Sequence, residues 1–203
     1  MDNLIAGYQR FRETTWPERR RLFETLAERG QSPRAAVLAC IDSRVDPAMI
    51  FDAGPGEILT IRNVANLAPT YAPDGASHGT SAALEFAVCG LEVSELIVLG
   101  HGQCGGIRAL LDDAPQTLGA FIGPWIRQAD RARRRALECA PAERQLEAEY
   151  EAIRLSLDNL MTFPWVAERV AAGTLTLHGA HFAVHTGVLA VLGADGRFTP
   201  AVA

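Results

Sequence analysis

The sequence predicts an α/β fold: a mainly parallel central β-sheet flanked by helices, with an N-terminal helical arm and a C-terminal β segment. Three observations carry that prediction. Residues 35–41 and 96–99 are short, continuous apolar runs, the pattern of strands buried on both faces. Stretches of helical periodicity alternate with such runs, which implies a sheet covered by helices on both sides. The last 30 or so residues return to strand-like runs separated by turn signals.

Taken in order, Leu4, Ile5, Tyr8 and Phe11 recur at helical spacing, and a second helix starts at Pro17 and runs through Leu22, Phe23 and Leu26 to Gly30. Residues 1–30 thus form an arm ahead of the first strand, expected to pack on the domain or on a partner chain. The strand at 35–41 is followed by the turn Gly54-Pro55-Gly56 and a second strand at 57–61. Residues 63–79, with two prolines and two glycines, read as a loop, and 80–90 as a buried helix. After the strand at 96–99 comes a helix through Ile107, Leu110 and Leu111. Residues 121–169 are mostly helical, broken by Pro141 and Pro164; the basic run Arg127, Arg131, Arg133, Arg134 and Arg135 reads as a solvated helix face. Strands are expected at 174–178, 182–185 and 188–192, with turns at Thr186-Gly187 and Asp195-Gly196. No repeat or linker divides residues 1–203, so one domain is expected.

Composition narrows the chemistry. All 19 basic residues are arginine, so a lysine Schiff base and a Walker phosphate loop are both excluded. A net charge of −5 implies neither a nucleic acid nor a membrane surface as partner. The N-terminus lacks the regions of a secretory signal, so a cytoplasmic protein is expected. Its four cysteines, Cys40, Cys89, Cys104 and Cys139, are then metal ligands, nucleophiles or core residues rather than disulfide halves.

Two segments stand where strands end: Cys40-Ile41-Asp42-Ser43-Arg44 and His101-Gly102-Gln103-Cys104-Gly105-Gly106. Ligands of open α/β sheets bind outside the carboxyl ends of the strands, where residues distant in sequence meet. Cys40, His101 and Cys104 together make a Cys₂His set, one of the combinations of zinc enzymes that leave a fourth position open. Asp42 is placed to accept a hydrogen bond from zinc-bound water, and Arg44 to keep that carboxylate ionised. Gly100-His101-Gly102-Gln103-Cys104-Gly105 also matches G-x-G-x-x-G, but no carboxylate follows at the expected distance, so a dinucleotide site ranks low.

These residues resemble a β-class carbonic anhydrase. The resemblance covers about residues 26–189 and rests on Cys40-x-Asp42-Ser43-Arg44, Arg62-Asn63-Val64-Ala65-Asn66-Leu67, His101-x-x-Cys104-Gly105-Gly106, Ser156-Leu157-x-Asn159-Leu160 and Leu177-His178-Gly179. It implies one zinc ion per subunit held by Cys40, His101 and Cys104, an Asp42–Arg44 dyad at the metal, and reversible hydration of CO₂ to bicarbonate and a proton by attack of zinc-bound hydroxide. It also implies a homo-oligomer, a dimer or dimer of dimers, with the arm on the partner subunit and pockets at the interface. In plant-like members a glutamine nine residues before the first zinc cysteine helps bind substrate, and Gln31 stands there. Val64, Phe86 and the Gly105 amide are similar to the rest of that pocket, with Phe86 in place of a tyrosine and Leu59 in place of a phenylalanine. Members switched off by bicarbonate carry a tryptophan and a tyrosine where this chain has Val37 and Phe182; only Arg62 of that site is present, so no switch is expected.

Two further readings are carried. A carbonyl sulfide or carbon disulfide hydrolase could use the same zinc, and a non-catalytic zinc or thiol-responsive dimer could use the same fold. Charge counting adds a pH expectation. Two thiolates cancel the charge of zinc where three imidazoles cancel none, so activity should rise toward alkaline pH. His78, His178, His181 and His185 are candidate proton carriers.

Overall fold

The computed structural model describes residues 1–113 and 119–202. The arm is one long helix rather than two. An α-helix (α1, Asp2–Arg10) passes through a π-helical turn (Phe11–Thr15) into a second α segment (α2, Trp16–Arg29). Pro17 lies inside this continuous helix and offers no N–H to the turn before it, and the π-helical turn stands directly ahead of it. Gly30, at φ 80°, ends it. Among the described residues, none in this arm is buried.

Six strands form one sheet: β1 (Ala35–Cys40), β2 (Ile58–Asn63), β3 (Glu95–His101), β4 (Thr176–Ala183), β5 (Val188–Leu192) and β6 (Phe198–Pro200), in the order β2-β1-β3-β4-β5-β6. The first four are parallel, and β5 and β6 complete the sheet antiparallel. All six residues of β1 are buried, as its unbroken apolar run requires of the strand between β2 and β3. The chain leaves β1 toward β2 and leaves β3 toward β4, in opposite directions across the sheet. Its topological switch point therefore lies between the carboxyl ends of β1 and β3, where a crevice must open.

Helices α3 (Pro47–Ile50), α4 (Gly79–Glu85), α5 (Gly105–Leu111), α6 (Ile122–Arg127), α7 (Asp130–Leu137), α8 (Arg144–Leu160) and α9 (Pro164–Ala171) complete the described fold. The long helix α8 packs on β3 and β4, burying Ala152, Ile153, Ser156 and Leu160 along one stripe. Pro164 opens α9, and Pro141 lies in the connection between α7 and α8. No helix among the described residues is long and apolar enough to cross a membrane.

Two expectations need correction. The strands read at 174–178 and 182–185 are one strand, β4: Gly179, Ala180 and His181 interrupt the apolar run, yet all are buried and register with Val98, Leu99 and Gly100 of β3. Val184 and His185 belong to the turn before β5. Helix 80–90 changes at Phe86 from α to a π-helical turn (Phe86–Gly90), and β6 and the short α3 went unread because each is four residues or fewer. The basic run presents the expected solvated face, Arg127, Arg131, Arg134 and Arg135 being exposed, and two of its members are paired on it: Arg131 contacts Glu151 and Asp158 of α8, and Arg135 contacts Glu138.

Candidate metal centre

The β1–α3 loop and the β3–α5 loop meet at the switch point. Cys40 ends β1, His101 ends β3, and Cys104 caps α5. One ligand atom from each lies within 4.8 Å of the other two, and all three residues are buried; no other such group of three occurs among the described residues. Cys89 is exposed and Cys139 half-buried, both outside the cluster.

The local backbone explains why the ligands converge. Gly100 and Gly106 cannot carry a side chain: a Cβ would sit 2.7 Å from Ile153 Cδ1 at the first and 2.9 Å from Val64 Cγ1 at the second. Gly100, the first glycine of the G-x-G-x-x-G match, and Gly106 beyond it thus serve close packing. Gln103, between the two ligands, adopts φ 58°, a left-handed conformation that a non-glycine residue keeps only where its surroundings hold it. Its carbonyl accepts from Arg44 Nη2 at 3.1 Å, which links the two loops.

Arg62, on β2, secures the Cys40 loop from the other side. Its Nε donates to the Cys40 carbonyl at 2.9 Å, and its Nη2 to the Asp42 carbonyl at 2.6 Å. Arg62, which the resemblance places both in a family motif and in the regulatory site, here staples the backbone of the loop. The Ser156 and Asn159 side chains likewise pin the segment after Val64, Ser156 Oγ donating to Asn66 O and Asn159 Nδ2 to Ala68 O.

Asp42 faces the cluster. Arg44 grips it with a fork, Nε to Oδ1 at 2.9 Å and Nη2 to Oδ2 at 2.7 Å, while the Arg44 amide N–H also donates to Oδ1. Hydrogen bonding from Arg44 holds the Asp42 carboxyl well below the usual carboxylate range. Its Oδ2 stands 4.0 Å from His101 Nε2.

The donor set suits zinc. His101 Nδ1 donates to the Gly102 carbonyl at 3.0 Å, which leaves Nε2 as a lone pair. That atom is buried with no hydrogen-bond partner among the described residues, an arrangement costly unless a cation completes it. Two sulfurs each bound to a tetrahedral zinc at about 2.3 Å stand about 3.8 Å apart; Cys40 Sγ and Cys104 Sγ are 3.9 Å apart. At that distance either thiol can donate to the other, and the contact lowers the pKa of Cys40 while, together with burial, raising that of Cys104.

The match with known proteins decides the family. The family model described as "Carbonic anhydrase" matches residues 35–189. The chain belongs to the β-class carbonic anhydrase family. It is 33% identical to beta carbonic anhydrase 3 of Arabidopsis thaliana, over all of this chain and 81% of that one. It is 37% identical to a carbonic anhydrase of Pseudomonas aeruginosa, over 98% of this chain and 90% of the other. The solved structure of the β-carbonic anhydrase CcaA superposes with a TM-score of 0.92 at 33% identity, covering all of this chain and 92% of that one. A structure of tetrameric β-carbonic anhydrases from Sordaria macrospora gives 0.76 at 27% identity, covering 98% and 94%.

Within this carbonic anhydrase fold, the remaining site candidates divide. Val64 adjoins the cluster: it touches the start of α5, its carbonyl accepts from Trp125 Nε1 at 2.8 Å, and it lines an apolar cleft of about 480 Å³ with Trp125 and Phe121. That cleft includes none of the three ligands. Gly105 opens α5 beside Cys104, with open space where a side chain would stand. Phe86 is 54% exposed and lies against Gly90. Gln31 precedes β1, whose two ends, Ala35 and Cys40, are about 16 Å apart. Gln31 thus precedes the end of β1 opposite to the one that carries Cys40. Of the other histidines, His78 contacts Asp74, His178 lies near Glu95, His181 is buried on Glu149, and His185 meets the Gln103 amide at 2.7 Å.

Sequence reasoning missed Glu149. It is 3% exposed, and its Oε1 accepts the backbone N–H of Cys104 at 3.0 Å. A signal existed: Glu149 shares its helical stripe with Ala152, Ile153, Ser156 and Leu160.

Proposed function

We propose that this chain catalyses the reversible hydration of CO₂ to bicarbonate and a proton, with one zinc ion held by Cys40, His101 and Cys104. The observation that carries the reading is the buried, unpartnered His101 Nε2 facing two thiols 3.9 Å apart, with an arginine-clamped carboxylate 4.0 Å away. When bound, zinc supplies a Lewis acid that makes water nucleophilic near neutral pH. The chain's own residues do the rest. Asp42 accepts a hydrogen bond from the attacking oxygen and keeps a lone pair of that oxygen turned toward carbon. Arg44 keeps Asp42 ionised and fixed, since both guanidinium donors and the Gln103 carbonyl define its plane. The Gly105 N–H and Gln31 hold the oxygens on which negative charge develops.

Gln31 does so in a second copy of the chain. Its placement at the amino end of β1 supports this, as does the arm beside it, which exposes Leu4, Ile5 and Tyr8 with no cover among the described residues. The functional unit is thus a homodimer, or a dimer of dimers, in which residues 1–30 pack on the partner. Four free thiols suit a reducing, cytoplasmic setting.

Zinc quantification alongside stopped-flow CO₂ hydration tests the reading. It requires one zinc per chain and turnover that rises from neutral pH toward pH 9. Zinc without turnover would favour a non-catalytic dimer, and faster turnover of carbonyl sulfide or carbon disulfide than of CO₂ would move the assignment to a hydrolase.

A further inference from the structure

The crevice contains a buried polar cluster that the chemistry above does not use. Gln145 and Glu149 stand one turn apart on α8 and bracket the Cys104 peptide: its N–H donates to Glu149 Oε1 at 3.0 Å, and its carbonyl accepts from Gln145 Nε2 at 3.2 Å. Gln145 Nε2 also reaches Glu149 Oε1 at 2.7 Å. The second carboxylate oxygen, Oε2, accepts from His181 Nε2 at 3.0 Å. His181 is itself 3% exposed and sits opposite Gly100, one residue before the ligand His101.

A carboxylate and an imidazole in the core contribute little to stability by themselves; apolar residues of similar size often serve as well. Their placement therefore asks for another reason. The peptide they hold belongs to a metal ligand, and the residue before it, Gln103, is in a left-handed conformation that needs support. Glu149 thus ties the Cys104 limb of the loop to α8, and through His181 to β4, beside the strand that carries His101.

We infer that Glu149, braced by His181 and Gln145, is a positioning residue that keeps Cys104 in register with Cys40 and His101 and so sets how long the metal stays bound. This rests on the proposed zinc site. Outer-shell partners of metal ligands commonly govern affinity by about 10- to 100-fold, and here the partner acts through the backbone of the ligand.

The test is zinc release from the holoprotein into excess chromophoric chelator, with circular dichroism and thermal unfolding reporting the fold. Glu149→Met fills the volume without an acceptor and is expected to release zinc about 10-fold faster or more. Glu149→Gln keeps an oxygen for the Cys104 N–H and is expected to stay within about 3-fold of wild type. Leu160→Ala, a buried change at the far end of the same helix, lowers the unfolding temperature without changing release. The inference is overturned if Glu149→Met releases zinc at the wild-type rate, or if Leu160→Ala releases it as fast as Glu149→Met. Should Glu149→Met not fold, His181→Phe and Gln145→Met each remove one brace; faster release from both supports the inference, and wild-type release from both overturns it. A wild-type protein that binds no zinc would remove the metal-site reading itself, whereas zinc held equally well by wild type and Glu149→Met would remove only the role of Glu149.

Discussion

Two arginine–carboxylate pairs of this protein have the same shortest distance, 2.7 Å, and stand in contrasting surroundings. Arg44–Asp42 lies at the crevice, where the carboxylate side chain is 18% exposed and the guanidinium is also tied to the Gln103 carbonyl. Arg20–Glu24 lies on the arm, where the two side chains are 65% and 48% exposed. The same difference separates the regions at large. Around the crevice, Arg62, Arg44 and Glu149 each bond the backbone of a ligand loop. The arm supports itself chiefly by local aromatic contacts among Phe11, Trp16 and Phe23. The candidate metal ligands are thus assembled within one chain, whereas the proposed role of Gln31 requires a second.

The largest effects should follow from breaking the assembled set of ligands. Cys40→Ser or Cys104→Ser should leave less than about a tenth of the zinc, with activity falling in step, because an open site has no spare protein ligand. Cys89→Ser and Cys139→Ser, outside the cluster, should keep a full zinc complement by atomic absorption. Loss of zinc from Cys139→Ser would show the wrong ligand set.

Next comes the division between chains. Asp42→Asn should keep zinc and lose about 10²-fold in turnover, and Gln31→Ala should lose about 10-fold in kcat/KM. Mixing the two variants under conditions that exchange subunits discriminates sharply. If Gln31 serves the partner's site, each mixed dimer regains one intact site from the unmutated halves of its two chains, and activity climbs above both parents. If each chain uses its own Gln31, no mixture exceeds the average of its components.

How far the sequence disclosed this contrast depends on how local each signal is. β1 and β3 were legible because a buried strand in a parallel sheet must be apolar throughout, and the ligands because their side-chain chemistry is rare at strand ends. β4 was read as two pieces because Gly179, Ala180 and His181 lack apolar bulk, although the sheet buries them. Glu149 was lost among the acidic residues of α8, Glu147 and Glu151 among them; only its phase on the helix distinguishes it. Arg62 gave no sign of its role, since a residue that bonds carbonyls two strands' ends away carries no local pattern. The fold was thus read from composition and period, whereas the supports of the site were hidden in long-range hydrogen bonds.

The two ion pairs provide the finest comparison. Arg44→Gln removes both side-chain donors from Asp42, so its carboxyl rises toward the ordinary carboxylate range. Because the rise from neutral pH toward pH 9 belongs to the metal-bound water, the added loss should appear only below about pH 5, where kcat/KM falls more steeply than in wild type; at neutral pH turnover should be down about 10-fold with zinc retained. Arg20→Gln breaks a pair of equal length on an exposed helix face, where such i,i+4 contacts contribute about 0.3–0.5 kcal/mol. Its unfolding temperature should drop by no more than about 2 °C, and its pH profile should overlay that of wild type. Equal distances with unequal consequences would place the importance of the Asp42–Arg44 pair in its position at the crevice. A loss below about pH 5 in Arg20→Gln as large as that in Arg44→Gln would instead indicate that overall charge, and not the clamp on Asp42, governs the profile.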